Sequence, residues 1–281
     1  MVQDLSRYVA IAEEYPNDTS DKIKSGGLMH DRRIARIITP GTLIDENFMD
    51  PYANNYVMAI HIPDLDALQE IPDTRDAHNV VAAPPPGFAS APVGMAWLDL
   101  STGHFFTQLT TLSSLGSVLS RVSPREIVLQ EDLQSQPAHS IFPLLTDEKH
   151  LITYARMGTL MSVSDWTPLL ESDVPKQAVE DFSTDEVQAG NLLLSYVKDR
   201  LQGLSMRLQP PLRYEAIQVM NIDKNSLRAL EIKQTIRDGA FRGSLLHAIR
   251  RTATKSGARL LNEWLSALYP PQYENGHINF G

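Results

Sequence analysis

The 281 residues contain no cysteine, so no disulfide, thiolate metal site or cysteine nucleophile exists anywhere in them. A reducing compartment is compatible with that absence. No apolar run approaches the roughly 18 residues of a membrane-spanning helix, so no membrane partner is expected. The opening MVQDLSRYVAIAEEYP lacks the charged start and long apolar stretch of a secretory leader, and it is too acidic for a typical transit peptide. No stretch reads G-x-x-x-x-G-K-[ST], because Lys255-Ser256 follows Ile249 to Thr254, which hold no glycine. H-E-x-x-H and G-x-S-x-G are absent, and the eight histidines include no pair at the helical spacing of metal ligands. These gaps exclude P-loop, zincin and hydrolase-elbow chemistry in these residues. They leave no catalytic, cofactor-binding or metal residues to nominate.

An excess of positive charge is missing as well: the net charge is −9, which argues against a surface that grips phosphates throughout. Its distribution is uneven. Residues 1–62 hold 6 basic and 9 acidic side chains, residues 63–175 hold 5 and 14, and residues 176–281 hold 14 and 11. The acidic middle suits a protein partner better than DNA, and only the last third could help to hold a duplex.

What is present is globular, with 42% hydrophobic residues, enough for one large core or two to three small ones. Tyr8 to Pro16 and Arg32 to Pro40 read as short strands, with Gly26 and Gly27 as turn formers between them and Pro40-Gly41 as a stop. Asn54 to Ile62 is a further strand. Residues 63–92, acidic and then rich in proline (Pro84, Pro85, Pro86), read as a solvated insertion. Val93 to Gln108 is a hairpin turning at Ser101 to Gly103. Leu112, Leu115, Val118, Leu119 and Val122 then mark a helix face, and Pro124 to Gln130 a buried strand. Helix packed on sheet follows as the expected layering.

From Pro175 the pattern is helical. Ser183 and Glu186 have capping-box spacing ahead of a helix with Val187, Leu194, Val197, Leu201 and Leu204 on one face. Asp223 and Ser244 are expected helix caps, the latter before Leu245, Leu246 and Ile249. A last helix places Leu260, Leu261, Trp264, Leu265 and Leu268 on one side. The fold class is therefore α/β followed by all-α.

Two sets of polar residues invite chemistry. Asp99 ends an apolar strand that opens a hairpin, where a two-metal hydrolase would place its first carboxylate, with Glu126, Glu131, Asp132 and Asp165 as possible companions. No spacing forces those acids together, and capping the turn through Ser101 or Thr102 is the competing role for Asp99. Arg32, Arg33 and Arg36 form the densest basic group of the first part, and strand alternation puts Arg33 opposite the other two. With Arg250 and Lys255, which cluster with Arg251 and Arg259 around a helix boundary, they are the candidate DNA contacts. A solvated edge that discourages strand pairing is the alternative role of the first group.

Arg32 to Glu46 (RRIARIITPGTLIDE), with NNYVMAI after it, resembles the passage from the mismatch-binding domain to the connector domain of MutS-type mismatch repair proteins. VGMAWLDLSTGHFFTQ and SPREIVLQEDL resemble the connector, and MNIDKNSLRALEI, GSLLHAI and TKSGARLLNEWL the start of the helical lever, in family order from Tyr8 to Leu268. Tyr8 to Glu46 is most similar to the mitochondrial homologues of eukaryotes, which makes mitochondria the expected compartment and the nucleus the alternative. The resemblance implies a mismatch-binding remnant over 1–50, a ribonuclease-H-like connector over 51–174 and a truncated lever over 175–281, with a divergent tail at 269–281. Duplex DNA and a MutL-like or MutS-like protein are the implied partners. ATP and Mg serve the full-length family; none is expected here. The family's dimerisation and its aromatic mismatch wedge map to no residue of this chain, so the expectation is a monomeric, non-enzymatic piece that binds DNA weakly and without regard to mispairs. Two alternatives remain: a protein-interaction module acting through the acidic connector, and a ribonuclease-H-like hydrolase using Asp99.

Overall fold

A computed structural model describes residues 7–15, 31–44, 49–50, 52–63, 88–137, 139, 141–145, 150–202, 206–214, 222, 224–266, 272–274 and 277–279. Most of the 63–92 insertion, the Gly26-Gly27 turn, the Asp223 cap, Leu204 and Leu268 lie outside the described residues.

Strands β1 (Val9–Tyr15) and β2 (Asp31–Ile38) pair antiparallel. The register slips between Ile11 and Ala12, where Ala35 is an extra residue on β2. That bulge corrects the expected facing of the arginines. Arg36 pairs with Ile11 and Arg33 with Glu13, two residues apart on one face of β1, while Arg32 pairs with Glu14 on the other. Simple alternation fails because a bulge sets two residues against one.

Six further strands form a mixed sheet: β3 (Val57–His61), β4 (Pro92–Asp99), β5 (His104–Thr111), β6 (Glu126–Gln130), β7 (Leu151–Ala155) and the two-residue β8 (Leu212–Arg213). Their spatial order is β7-β6-β3-β4-β5-β8. β3, β4 and β5 run as an antiparallel meander, while β6 is parallel to β3 and β7 to β6. The parallel joins need crossovers, which helix α1 (Leu112–Val122) supplies between β5 and β6. A short helix α2 (Phe142–Leu145) precedes β7.

The central strands are buried on both faces, so each alternate residue set has its own core. Met58, Ile60, Met95, Trp97 and Ile127 pack under α1, whose Leu112, Leu115, Val118, Leu119 and Val122 are all buried as the spacing predicts. Val57, Ala59, Ala96, Leu98, Phe105 and Val128 pack under the long helix α4 (Thr184–Leu201), which follows α3 (Lys176–Asp181). The layering is thus helix, sheet, helix rather than the two layers expected. α4, read from sequence as the opening of the helical part, shares a core with the sheet. It begins on the expected capping box: Ser183 Oγ accepts from Glu186 N–H at 3.2 Å, and Ser183 N–H donates to the Glu186 carboxylate at 2.9 Å. Its first turn lies against β4 so closely that a Cβ on Gly94 would stand 2.0 Å from the Asp185 carbonyl oxygen.

Helices α5 (Lys224–Ala229), α6 (Leu245–Ile249) and α7 (Lys255–Ser266) follow. Ser244 caps α6 as expected, accepting from His247 N–H at 3.2 Å. The apolar periodicity of α6 and α7 is present but not covered: Leu245, Ile249, Leu260 and Trp264 are 43 to 57% exposed. The tail contains a small antiparallel pair, β9 (Gln272–Glu274) and β10 (His277–Asn279), which its composition did not announce. No helix among the described residues is long and apolar enough to cross a membrane.

Candidate nucleic-acid interface

The five cations nominated from sequence fall at three places: on β2, just after α6 and at the start of α7. Arg32 is engaged: its Nη2 stands 2.7 Å from Glu14 Oε1, with Nε 3.1 Å from the same oxygen. Arg33 sits across the strand pair from Glu13, so both arginines face acids and any phosphate must compete with them. Arg36, half-buried on the same face as Arg33, pairs with an apolar residue.

Arg250 is a fastener of the fold. Its guanidinium carbon lies 4.4 Å from the ring centroid of Tyr52 and 4.5 Å from that of Phe241, which ties the segment ahead of β3 to the helical part. It follows the C-terminus of α6, where a cation is electrostatically favoured. Lys255 is different. It is the exposed first residue of α7, the positive end of that helix, so the expected dipole role fails for it. Among the described residues no side-chain partner engages Lys255, which leaves it the most available of the five for a phosphate.

The acids proposed around Asp99 do not converge. Asp99 is buried and both its oxygens are taken: Oδ1 accepts from Ser101 N–H at 2.9 Å and Ser101 Oγ at 2.6 Å, and Oδ2 from Asn55 N–H at 2.9 Å. This is the turn-capping role. Leu98 and Glu126 both pair with Val57 and share its face, so Asp99, one residue on, is directed to the other face of the sheet from Glu126. Glu131 pairs with Arg156 at 2.5 Å, and Asp165 closes a capping box with Ser162. Among the described residues no group of three or more histidine, aspartate or glutamate side chains could hold a metal ion.

Two acids named from sequence, Glu186 as a helix cap and Glu126 as a possible companion of Asp99, are buried and organise the interior more widely than that reading foresaw. Glu186 is both the capping residue of α4 and the partner of Arg213 Nε, 3.1 Å from each oxygen, and it accepts from Thr107 Oγ1 at 3.3 Å. It thereby binds β8 and β5 to the helix. Glu126 opens β6 and is wholly buried among hydroxyl donors, including Tyr196 at 2.6 Å. Burial, and then the Glu126 charge, push the Tyr196 hydroxyl above the usual phenol range, so it stays a donor. Capping-box spacing from Ser183 signalled the helix-end role of Glu186, but the distant partners of both acids have no local signal.

The helical part is tied to the sheet unit by polar contacts. Lys233 Nζ donates to the Arg121 carbonyl at 3.0 Å at the end of α1, satisfying a free helix-end oxygen. Tyr214 Oη donates to Glu263 of α7 at 3.1 Å, and the Arg121 guanidinium carbon lies 4.8 Å from the Tyr214 ring centroid.

Residues 79–210 match the family model of MutS domain II, and residues 225–269 that of MutS domain III. The proteins called DNA mismatch repair protein MutS from Wolbachia pipientis wMel, Ehrlichia chaffeensis and Microcystis aeruginosa are 31%, 30% and 29% identical to it, over 94%, 92% and 92% of this chain. It spans 28%, 29% and 27% of their respective lengths. Two MutS domains in order, on a mixed sheet followed by helices, together with MutS-named relatives along nearly the whole chain, support placing this protein in the MutS family.

Proposed function

We propose that this chain serves DNA mismatch repair as a connector and partial lever that binds duplex DNA weakly, in a salt-sensitive manner and without selecting mispairs. The observation that carries this reading is the ordered match of MutS domains II and III. The strand order β5-β4-β3-β6-β7, antiparallel across the first three and parallel across the last three, supports a ribonuclease-H-like connector. Because α4 shares the sheet's core and β8 pairs with β5, we place the end of that connector after β8 rather than at residue 174.

The chemistry proposed is binding. No P-loop occurs in these residues, and the Asp99 carboxylate is consumed by its turn. Exposed Lys255 with Arg33 and Arg36 supplies the phosphate contacts, which give affinity without sequence information. ATP, Mg and a stable dimer belong, in this proposal, to full-length relatives, and the chain itself is a monomer. The relatives named above are bacterial; the mitochondrial compartment rests on the likeness of Tyr8 to Glu46 alone.

Fluorescence anisotropy at low and physiological salt, on a paired duplex and the same duplex with one G·T mispair, tests the proposal. Equal, weak, salt-sensitive binding is expected. Tighter binding to the mispair would overturn mismatch indifference. No binding at low salt would overturn the DNA role and favour the second reading, a MutL-like protein docking on residues 63–175, with their 5 basic and 14 acidic side chains.

A further inference from the structure

We propose that Glu126 is a latch that holds the β1–β2 hairpin in one docked position on the sheet, and that breaking it frees the hairpin while the sheet persists. The inference does not depend on DNA binding. Glu126 Oε1 accepts hydrogen bonds from Thr153 Oγ1 at 2.8 Å and Tyr196 Oη at 2.6 Å; Oε2 accepts from Gly41 N–H at 3.0 Å and from the Thr39 hydroxyl. These bonds assign the remaining protons. Thr153 gives its one hydroxyl proton to Glu126, so Tyr8 Oη, 2.6 Å away, must donate to Thr153. Thr39 likewise gives its proton to Glu126, so Thr42 Oγ1, 2.8 Å away, donates to Thr39. Two donor chains, Thr42 to Thr39 and Tyr8 to Thr153, end on a single carboxylate.

Their origins matter. Tyr8 immediately precedes β1, and Thr39, Gly41 and Thr42 immediately follow β2, so both ends of the hairpin are tied to one side chain of β6. The approach is close: a Cβ on Gly41 would lie 2.8 Å from Val57 Cβ and 2.9 Å from Glu126 Cβ. Apolar burial holds the hairpin only in part. Among residues 7–14 and 32–38 no apolar side chain is fully buried, Val9, Ile11, Ile37 and Ile38 being half-buried, whereas both cores of the sheet are built without the hairpin. Arg200 of α4 adds a weaker tie across the same joint, its guanidinium carbon 4.8 Å from the Tyr196 ring centroid and 5.9 Å from that of Tyr8. A docked position set by directional bonds to one charge is two-state in character, since a partial shift loses several bonds together.

The absence of cysteine makes the test direct. Spin labels at Glu13→Cys on the hairpin and Gln134→Cys beside β6, both exposed positions, report their separation by electron double resonance on the full chain. Glu126→Gln conserves shape, but its amide, turned either way, presents N–H groups to two of the four donors. Thr39→Val removes one donor and leaves the charge in place. The expected result is a single narrow distance in the parent and its loss in both variants, with the near-ultraviolet signal of buried Trp97 and Trp166 retained. A distance that stays narrow in both variants overturns the proposal. So does loss of the tryptophan signal along with the narrow distance in Thr39→Val, because Glu126 would then serve the sheet's own stability. Where Glu126→Gln unfolds the sheet, Thr39→Val decides alone.

Discussion

Arg250 holds its guanidinium between two rings, 4.4 Å from Tyr52 and 4.5 Å from Phe241, and so joins the segment entering β3 to the helices that follow the sheet. A cation placed this way stabilises the fold rather than waiting for a phosphate. Each contact contributes roughly 0.5–1 kcal/mol at an accessible site. Arg250→Ala is therefore expected to cost about 1–2 kcal/mol in urea denaturation while leaving the salt dependence of DNA binding unchanged. Arg250→Lys recovers only part of that loss, because an ammonium cannot stack its plane on both rings. A full recovery by lysine would show that charge alone matters there.

Lys255 gives the opposite expectation. It is exposed at the positive end of α7, and among the described residues its side chain has no partner. Lys255→Ala should leave the urea midpoint unaltered and lower the slope of log K against log salt by about 0.9 for one lost phosphate contact. Arg32→Ala, which removes a side chain already paired with Glu14, should change that slope little. Equal effects of the two substitutions would place the interface elsewhere.

Asp99 should prove structural. Replacing it with alanine strands the Asn55 and Ser101 N–H groups that its carboxylate satisfies, and hydrogen bonds to a charged group contribute about 1.5–3 kcal/mol each when broken in a buried site. The expected outcome is a loss of about 2–4 kcal/mol in stability and no divalent-ion cleavage of DNA by parent or variant. Manganese-dependent cleavage by the parent that Asp99→Asn abolishes would restore the hydrolase alternative.

Local patterns were legible in the sequence where one element decides its own shape. The five buried positions of α1, the β4–β5 hairpin and the caps at Ser183 and Ser244 all follow from period and end chemistry. Relations between distant elements were not. The helical period of α4 revealed an apolar face but not that β3, β4 and β5 would cover it, and so the sheet gained a second helical layer. β7 is a five-residue strand whose place depends on parallel pairing with β6, which no local signal carries. The facing of Arg36 was misread because one inserted residue, Ala35, reverses alternation. Glu126 was hidden by its own neighbours: an acid within PREIVLQ gives no hint that Thr39, Gly41, Thr153 and Tyr196 converge on it.

His61 predicts how stability depends on pH. Burial lowers its affinity for a proton, and this outweighs Asp185, 3.8 Å away, and a bond to Gln130, both of which favour the charged ring. His139 is lowered by burial in the same way. The folded state therefore binds protons less readily than the unfolded chain, whose histidines titrate near about 6.5. Stability is complete above that pH and falls as pH drops below it toward the depressed folded value. Urea midpoints should decline from pH 7 to pH 5.5, and His61→Gln should flatten part of the decline. A midpoint that rises over this range would mean that Asp185, not burial, governs the ring.

Two glycines should respond to alanine with opposite signs. Gly94 lies under the first turn of α4, where an added Cβ meets the Asp185 carbonyl oxygen and carbon at 2.0 and 2.2 Å. These are backbone atoms of a helix fixed by a capping box, so they cannot swing aside as a side-chain tip would. Gly94→Ala must push α4 off β4, and overpacking of this kind costs about 1–3 kcal/mol or more. Gly116 is inside α1 with no atom within 4 Å of its Cβ position. Alanine there meets no neighbour and reduces the freedom of the unfolded chain, so Gly116→Ala should stabilise by about 0.5–1 kcal/mol. Denaturation of both variants beside the parent separates packing from backbone entropy. A stable Gly94→Ala protein would mean that α4 is not seated directly on β4, and with it would go the capping of Glu186 over Thr107 and Arg213 that depends on that contact.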